Sequence, residues 1–357
     1  VPGLQWFNEG GDATTLTADA ASTLAFTGGT YTTLNGIAGG NISQSGALTV
    51  SGVTTLTADT NALTATLTDA TNNFASVVLA TINGGSFSNA EVVDASALTI
   101  GGSADTLSAT AGGALIFSGG GYTTLNGTAT GNISRSGNLA VTGTATMTAD
   151  TNAITLGFGG VGSEFAILDL VSVNGGSFSS ATVFDPNLVT ISGDAGVLNA
   201  IAGTSLTLGG GTYGALNAEI LSGSSLNQTG PVIVTGATNI VANVNSITVD
   251  LSDAGNDFNT INFTGLTGAT FNDVVIVDTT ALSVGNLVVG GPGNIDISAD
   301  DGLTVTGTVS TATGDITLNA DADAAGAGLL TLAATSLVSS AADLTLTAAD
   351  FELDMPA

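Results

Sequence analysis

The sequence predicts an all-β fold, a right-handed parallel β-helix (β-solenoid) that forms a single elongated rod of roughly 16 coils. Three observations carry this prediction: segments recur 91 residues apart, apolar and polar residues alternate over short runs, and charged residues make up only 8% of the chain. Alternation with a period of two is the pattern of half-buried strands. Stacked coils place equivalent side chains above one another, so a charge repeated in every coil would repel itself. The alternative, a β-sandwich, would normally contain more large aromatic residues, Pro, Lys and Glu.

The repeat is visible in two motifs. YTTLNG at residues 31–36 returns unchanged at 122–127 and as YGALNA at 213–218. NISQSGALTVSG, beginning at Asn41, returns 91 residues later as NISRSGNLAVTG, beginning at Asn132. Self-similarity with a fixed period indicates a repeat architecture. The predicted division is an N-terminal cap or junction segment (1–11), three solenoid copies (12–102, 103–194 and 195–286), and diverged coils with a C-terminal cap or junction segment (287–357).

Two series of phenylalanines follow the same register, and we predict that both point into the core of the solenoid. Their members are Phe74, Phe165 and Phe258, and Phe87, Phe178 and Phe271. One aspartate also recurs in each copy, where it is expected to close the same turn: Asp94, Asp185 and Asp278.

The charge balance excludes several classes of function. The net charge is −28 and Arg135 is the single cation. Nucleic-acid binding requires clustered Lys and Arg to neutralise phosphates, so no nucleic-acid partner is expected. No apolar run approaches the 18 or so residues that span a bilayer as a helix, so membrane insertion is not expected either. There is no Cys, which excludes disulfides and thiolate chemistry.

The sequence offers little for catalysis. It contains no His and no Cys, which removes the usual triads and imidazole metal sites. Arg135 stands where the first copy has Gln44, which indicates an exposed position rather than a catalytic base. We therefore predict that the protein is not an enzyme.

Pairs of aspartates are the remaining acidic candidates, either as glycosidase carboxylates or as weak Ca²⁺ ligands. They lie in turn-like sequences such as ADDG and ADADA, and no complete calcium-loop motif accompanies them. No cofactor is expected, with weakly bound Ca²⁺ as the one exception. The pairs are Asp300 and Asp301, Asp321 and Asp323, and Asp253 and Asp257.

Both termini carry bulky apolar residues outside the repeat pattern. Trp6 and Phe7 lie in the first segment, and Phe351, Leu353 and Met355 alternate along the last. A solenoid exposes unpaired strand edges at its first and last coils, which must be covered. One interpretation is that each segment caps its own core. The other is that the segments mate with a neighbouring molecule head to tail, which generates filaments.

Three stretches resemble filamentous-haemagglutinin-type repeats: NISQSGALTVSGVTTLTAD (41–59), the stretch at 251–285 beginning LSDAGNDFNTINF, and the stretch at 293–323 beginning GNIDISADDGLTV. Such repeats occur in large secreted adhesins of the two-partner-secretion and autotransporter groups. The resemblance implies a right-handed parallel β-helix, export across an outer membrane, and a role in adhesion, biofilm matrix or surface filaments. The chain differs from those adhesins because it lacks their N-terminal secretion domain and a recognisable C-terminal barrel.

Together these observations predict a non-catalytic, secreted structural protein on the surface of a bacterium or in its surroundings. Its expected partner is a second copy of itself, with other matrix or host-surface components in addition. The alternative is the rod-like shaft of a secreted adhesin that mediates attachment. A polysaccharide-active β-helix hydrolase is a distant third.

Overall fold

A computed structural model describes residues 7–160 and 162–353 of the chain. It divides into two compact units, Val1–Ser179 and Ser180–Ala357, called here the N-terminal and C-terminal units. The predicted fold class is confirmed: the protein is all-β, with parallel strands stacked as a β-solenoid of about 16 turns in all. Its handedness stays a prediction. The helical content of the described residues is one 3-10 turn, Leu266–Gly268, and no helix there is long and apolar enough to cross a membrane.

The strands of the N-terminal unit contain from 3 to 15 residues. They are β1 (Phe7–Gly10), β2 (Ala13–Ala20), β3 (Leu24–Ala38), β4 (Ile42–Gln44), β5 (Leu48–Ala58), β6 (Leu63–Leu67), β7 (Asn73–Thr81), β8 (Phe87–Asp94), β9 (Leu98–Gly102), β10 (Ala104–Ala111), β11 (Leu115–Phe117), β12 (Gly120–Ala129), β13 (Ile133–Arg135), β14 (Leu139–Ala149), β15 (Ile154–Phe158) and β16 (Glu164–Ser172).

The strands of the C-terminal unit become shorter towards its last turns. They are β17 (Phe178–Asp185, which contains the division between the units), β18 (Leu188–Gly193), β19 (Ala195–Ala202), β20 (Ser205–Ile220), β21 (Ser225–Gln228), β22 (Val232–Ala242), β23 (Ile247–Leu251), β24 (Asp257–Gly265), β25 (Phe271–Asp278), β26 (Ala281–Val284), β27 (Leu287–Val289), β28 (Ile295–Ala299), β29 (Gly302–Val305), β30 (Thr308–Thr311), β31 (Ile316–Asn319), β32 (Leu329–Leu332), β33 (Leu337–Ser339), β34 (Leu344–Thr347) and β35 (Asp350–Leu353).

Each strand pairs in parallel with a strand one turn away. In the N-terminal unit, successive strands alternate between two sheets. Sheet N1 contains β1, the first part of β3, β4, β6, β8, β10, β12, β14 and β16; sheet N2 contains β2, the second part of β3, β5, β7, β9, β11, β13 and β15. The step along N2 varies, from 17 residues (Leu98 to Leu115) to 24 residues (Val50 to Phe74). Turn length therefore accommodates loops of different size while the inward alternation is kept.

The 91-residue repeat does not correspond to a whole number of turns. Tyr31 lies on sheet N2, in the second part of β3, whereas its equivalent Tyr122 lies on sheet N1, in β12. Eight strands, β4 through β11, lie between them, so the step is nine half-turns, or four and a half turns. Equivalent residues of the first and second copies therefore occupy opposite sheets.

The six phenylalanines of the two predicted series all lie in the core, and none is more than 2% exposed. Equivalent members do not stack on one another in the N-terminal unit, because Phe74 is on sheet N2 and Phe165 on sheet N1. Phe165 instead stacks on Phe158, with ring centroids 5.3 Å apart. In the C-terminal unit, Phe271 makes an edge contact with Phe263 at 5.2 Å. Aromatic contacts thus join different positions of the repeat.

A pair of glycines precedes each of the three repeated tyrosines and allows the backbone of the adjacent turn to approach closely. Gly119 and Gly120 have φ angles of +112° and +149°, a region that side chains rarely adopt. A Cβ on Gly120 would collide with the Gly102 carbonyl oxygen and lie 2.7 Å from the Tyr122 hydroxyl. Tyr122 is buried against this backbone, and burial raises the pKa of its hydroxyl. The glycines are therefore fixed by close approach between turns.

The recurring aspartates are buried and join consecutive turns. The Asp94 Oδ2 atom accepts a hydrogen bond of 2.5 Å from the Phe74 backbone N–H, 20 residues earlier. In the third copy, Asp278 Oδ2 accepts one of 2.6 Å from the Phe258 N–H, while Oδ1 accepts one of 2.9 Å from the Thr280 N–H. Burial raises the pKa of Asp278, against the opposing effect of these hydrogen bonds. The turn-closing aspartate therefore also holds the start of the Phe-bearing strand one turn back.

A ladder of asparagines runs across the outer face of four strands in the C-terminal unit. Each Nδ2 donates to the Oδ1 one turn back: Asn217 to Asn199 at 2.7 Å, Asn239 to Asn217 at 2.8 Å, and Asn262 to Asn239 at 3.2 Å. These residues belong to β19, β20, β22 and β24, which are in register. The ladder ties four turns together without introducing charge.

Candidate functional site

The candidate site is the last turn of the C-terminal unit, formed by β33, β34 and β35 and called here the end surface. From β27 onward the turns contain three strands: β27, β30 and β33 pair in one column, β28, β31 and β34 in a second, and β29, β32 and β35 in a third. Within the described residues, no strand pairs with the outer edge of β33, β34 or β35. Within this part of the chain, three parallel edges therefore carry unpaired N–H and C=O groups.

The end surface also exposes apolar side chains that lie on the core-facing side of their strands. Leu344 is in register with Ile316, which is fully buried, yet Leu344 is 44% exposed. Phe351 is in register with the fully buried Leu330, yet it is 50% exposed. The same alternation places Val338, Leu346 and Leu353 on the inner side of this turn. Inward residues are exposed here because no further turn covers them among the described residues.

The first turn offers the complementary edge. Within the described residues, β1 and β2 each pair on one side only, with the two parts of β3. The inward side chains of β2 include Leu16, which is half-buried, and Ala18 and Ala20, which are buried. The two alanines leave room beside Leu16 for bulkier side chains of an opposing turn.

The structure places the predicted junction residues unequally. Phe351 and Leu353 lie on β35 and are 50% and 65% exposed. The backbone of Phe7 lies in β1, whereas Trp6 and Met355 fall outside the described residues. Sequence reasoning missed Val338, Leu344 and Leu346, because the LTLT pattern of β34 looks like that of any buried strand. Only the register identifies β34 as part of the last described turn.

Of the two acidic pairs nearest the C-terminal end, Asp300 lies close to Asp301 and Asp323, whereas Asp321 and Asp323 also bind their own loop. Partial burial, with the nearby charges of Asp323 and Asp301, raises the pKa of Asp300. Asp321 and Asp323 instead cap their own loop, since Asp321 accepts from the Gly326 N–H at 3.0 Å and Asp323 from the Ala325 N–H at 2.9 Å. Across residues 7–160 and 162–353, no group of three or more carboxylates is arranged to hold a metal ion.

The other acidic pair, Asp253 and Asp257, has two separate roles in its turn. Asp253 Oδ1 accepts from the Gly255 N–H at 2.9 Å, and Asp257 Oδ1 accepts from the Thr280 hydroxyl at 2.9 Å. Both carboxylates are thus engaged in local hydrogen bonds.

Arg135 occupies a structural position in the second copy. In the first copy, Gln44 and Asn72 form a reciprocal amide pair, Nε2 to Oδ1 at 2.7 Å and Nδ2 to Oε1 at 2.8 Å, and Gln228 and Asn256 repeat it in the third copy. In the second copy the equivalent residues are Arg135 and Ser163.

The guanidinium of Arg135 donates to backbone carbonyls of the following loop. Its Nη2 reaches the carbonyl oxygens of Gly159 (2.8 Å) and Gly160, and its Nη1 reaches that of Gly137 (3.2 Å). Arg135 therefore stabilises the glycine-rich loop that contains Gly159 and Gly160.

The sequence matches the model of one protein family. The model of the family described as repeats of unknown function (DUF5649) matches residues 10–81, 104–160 and 192–264, more than half of the chain. The chain belongs to this family. Each matched DUF5649 segment lies within one predicted copy, apart from its first two residues in the first segment and its first three in the third. No curated protein and no solved structure matches the chain.

Proposed function

We propose that this DUF5649 protein is a non-catalytic, extracellular structural subunit whose copies assemble head to tail through the end surface. The observation that carries the proposal is the last described turn, where Leu344 and Phe351 are 44% and 50% exposed although they are in register with fully buried residues, and Leu353 is 65% exposed. Complete burial of one such side chain contributes about 1.5–3 kcal/mol. Strand addition by β1 and β2 of a second copy pairs two of the three open edges and covers apolar side chains of the end surface.

Contacts of this kind join two different surfaces of the same molecule, so they do not close and they generate filaments. The extracellular location is favoured by the absence of Lys, the strongly acidic composition and the resemblance to filamentous-haemagglutinin-type repeats. The main alternative is the shaft of a secreted adhesin, which needs no assembly through this surface.

The test compares the unmodified protein with Phe351→Glu, which places a charge on the inner side of the end surface. Leu188→Glu is the matched control, because Leu188 is 53% exposed and lies on β18, away from the end surface. Assembly is followed by light scattering and negative-stain electron microscopy over a concentration series, and folding by circular dichroism.

We expect filaments from the unmodified protein and from Leu188→Glu, and folded monomers from Phe351→Glu. Monomers from the unmodified chain at every concentration would favour the adhesin shaft. Normal filaments from Phe351→Glu would exclude the end surface as the junction.

A further inference from the structure

A groove of about 430 Å³ crosses the beginnings of β8, β10, β12 and β14 in the N-terminal unit. It spans four stacked strands, which corresponds to a length of about 14 Å. Its volume is within the range of small-molecule sites, but its walls are rich in hydroxyl groups. The polar side chains that line it are Thr81, Ser86, Ser103, Asp105, Thr123 and Thr142.

The groove is opened by a residue that is peculiar to the second copy. Gly121 lies on its wall, whereas the first and third copies have Thr30 and Thr212 at the equivalent position. A Cβ built on Gly121 would meet only the Ser103 Oγ, at 3.8 Å, so a side chain there would project into the groove without a clash. The change from Thr to Gly therefore creates open space.

The second copy also carries an aspartate two residues later than the aspartate of the first and third copies. The first and third copies read Asp-Ala-Thr and Asp-Ala-Gly at residues 12–14 and 194–196, where the second reads Ser-Ala-Asp at 103–105. Asp12 and Asp194 each accept a hydrogen bond from a backbone N–H one turn later, at 2.9 and 2.7 Å. Asp105 is exposed, makes no hydrogen bond within the described residues and faces the groove.

We infer that this groove binds a neutral oligosaccharide, a function independent of end-to-end assembly. The Asp105 carboxylate is an acceptor with room for two or more hydroxyl donors, and the Ser and Thr hydroxyls both donate and accept. No cation lines the groove and the chain carries a net charge of −28, so an anionic glycan is repelled. The groove extends over successive turns, which suits an extended chain of sugar rings rather than a compact molecule.

The C-terminal unit contains a groove of similar volume that can be compared with the groove beside Asp105. The loop at 81–86 borders the first groove, and its equivalent in the third copy is the loop at 265–270. A groove of about 440 Å³ lies beside this second loop, between Phe263 and Phe271. Its lining includes Val288 and no charged side chain. The carboxylate is thus a property of the groove in the second copy.

The experiment titrates the full chain by calorimetry with cellohexaose, xylohexaose, mannohexaose and chitohexaose. Hexagalacturonate serves as an anionic probe and spermine as a cationic one. The variants are Gly121→Thr, which restores the residue of the other copies, and Asp105→Asn. Asp296→Asn, an equal charge change at an exposed position on β28, is the control.

We expect at least one neutral hexasaccharide to bind, with affinity reduced tenfold or more by Gly121→Thr and by Asp105→Asn and unchanged by Asp296→Asn. Circular dichroism and thermal midpoints should be the same for all variants. The inference is overturned if no neutral hexasaccharide binds, if Gly121→Thr leaves binding intact, or if spermine or hexagalacturonate alone binds in the groove. None of these outcomes depends on whether filaments form.

Discussion

In the second copy, Arg135 and Ser163 replace the pair of hydrogen-bonded Gln and Asn side chains that the other two copies retain. The replacement leaves a buried hydroxyl without a hydrogen-bond partner among the described residues. In the first copy the Asn72 Oδ1 also accepts from the Leu48 N–H at 2.9 Å. The Ser163 hydroxyl is buried and has no hydrogen-bond partner among the described residues. A buried polar group without a partner costs about 1–3 kcal/mol.

The first prediction restores the pair. The double variant Arg135→Gln with Ser163→Asn should raise the free energy of unfolding by about 1–3 kcal/mol, because each regained buried hydrogen bond contributes about 0.5–1.5 kcal/mol. Urea denaturation followed by circular dichroism measures it. The reverse change in the first copy, Gln44→Arg with Asn72→Ser, is the control and should lower stability. A double variant less stable than the unmodified protein would contradict the interpretation.

The second prediction concerns Asp278, whose pKa is raised mainly by burial. Because the folded-state pKa lies above the unfolded one, the folded protein binds this proton more tightly. The resulting stabilisation is complete below the unfolded-state pKa and is lost as the pH rises through the raised folded-state value. The urea midpoint should therefore increase as the pH falls from 7 towards about 4.

This titration is measured in 1 M NaCl, which screens repulsion among surface carboxylates. Asp278→Asn is the control, since it cannot titrate at this position and should show a weaker dependence on pH. Identical pH profiles for the two proteins would remove Asp278 as the cause.

At the scale of elements, the asparagine ladder shows how short strands are held in register. β19, β20, β22 and β24 share one column of side-chain hydrogen bonds, all donated in the same direction, in addition to their backbone pairing. A one-residue slip of β20 or β22 would turn its asparagine inward and break two links of the column. The ladder therefore stabilises the register as well as the stack.

The third prediction interrupts this ladder. Asn217→Asp removes the donor to Asn199 Oδ1 and sets two acceptors against each other, so we expect a loss of about 1–3 kcal/mol in the free energy of unfolding. The matched control is Asn61→Asp, an equal charge change at an exposed residue outside the ladder. Equal urea midpoints for the two variants would show that the ladder contributes nothing measurable.

At the scale of the whole molecule, charge opposes the proposed head-to-tail assembly. The net charge is −28, and both mating turns carry carboxylates: Asp12 and Asp19 on the first, and Asp343, Asp350 and Glu352 on the last. Repulsion between exposed charges extends over about 10 Å at 0.1 M salt and about 3 Å at 1 M salt. Ionic strength should therefore regulate the association rate.

The fourth prediction follows from that screening. Light scattering should show faster filament growth at 0.5 M NaCl than at 0.05 M, with Leu188→Glu behaving like the unmodified protein. Slower growth at the higher salt concentration would mean that attractive charges dominate the junction, and the proposed pairing of turns would be wrong.

The sequence alone determined the strand content, the parallel stacking and the buried phenylalanines, because all three follow from a period-two pattern repeated with small side chains. The tertiary structure decided which strands pair. The step of four and a half turns separates Tyr31 and Tyr122 onto opposite sheets, although their motifs are identical. The tertiary structure also brings Asn72 to Gln44, 28 residues away, and places Leu344 on the last described turn. Pairing depends on the length of every loop between the strands, and a local pattern that looks the same in each turn carries no information about that count.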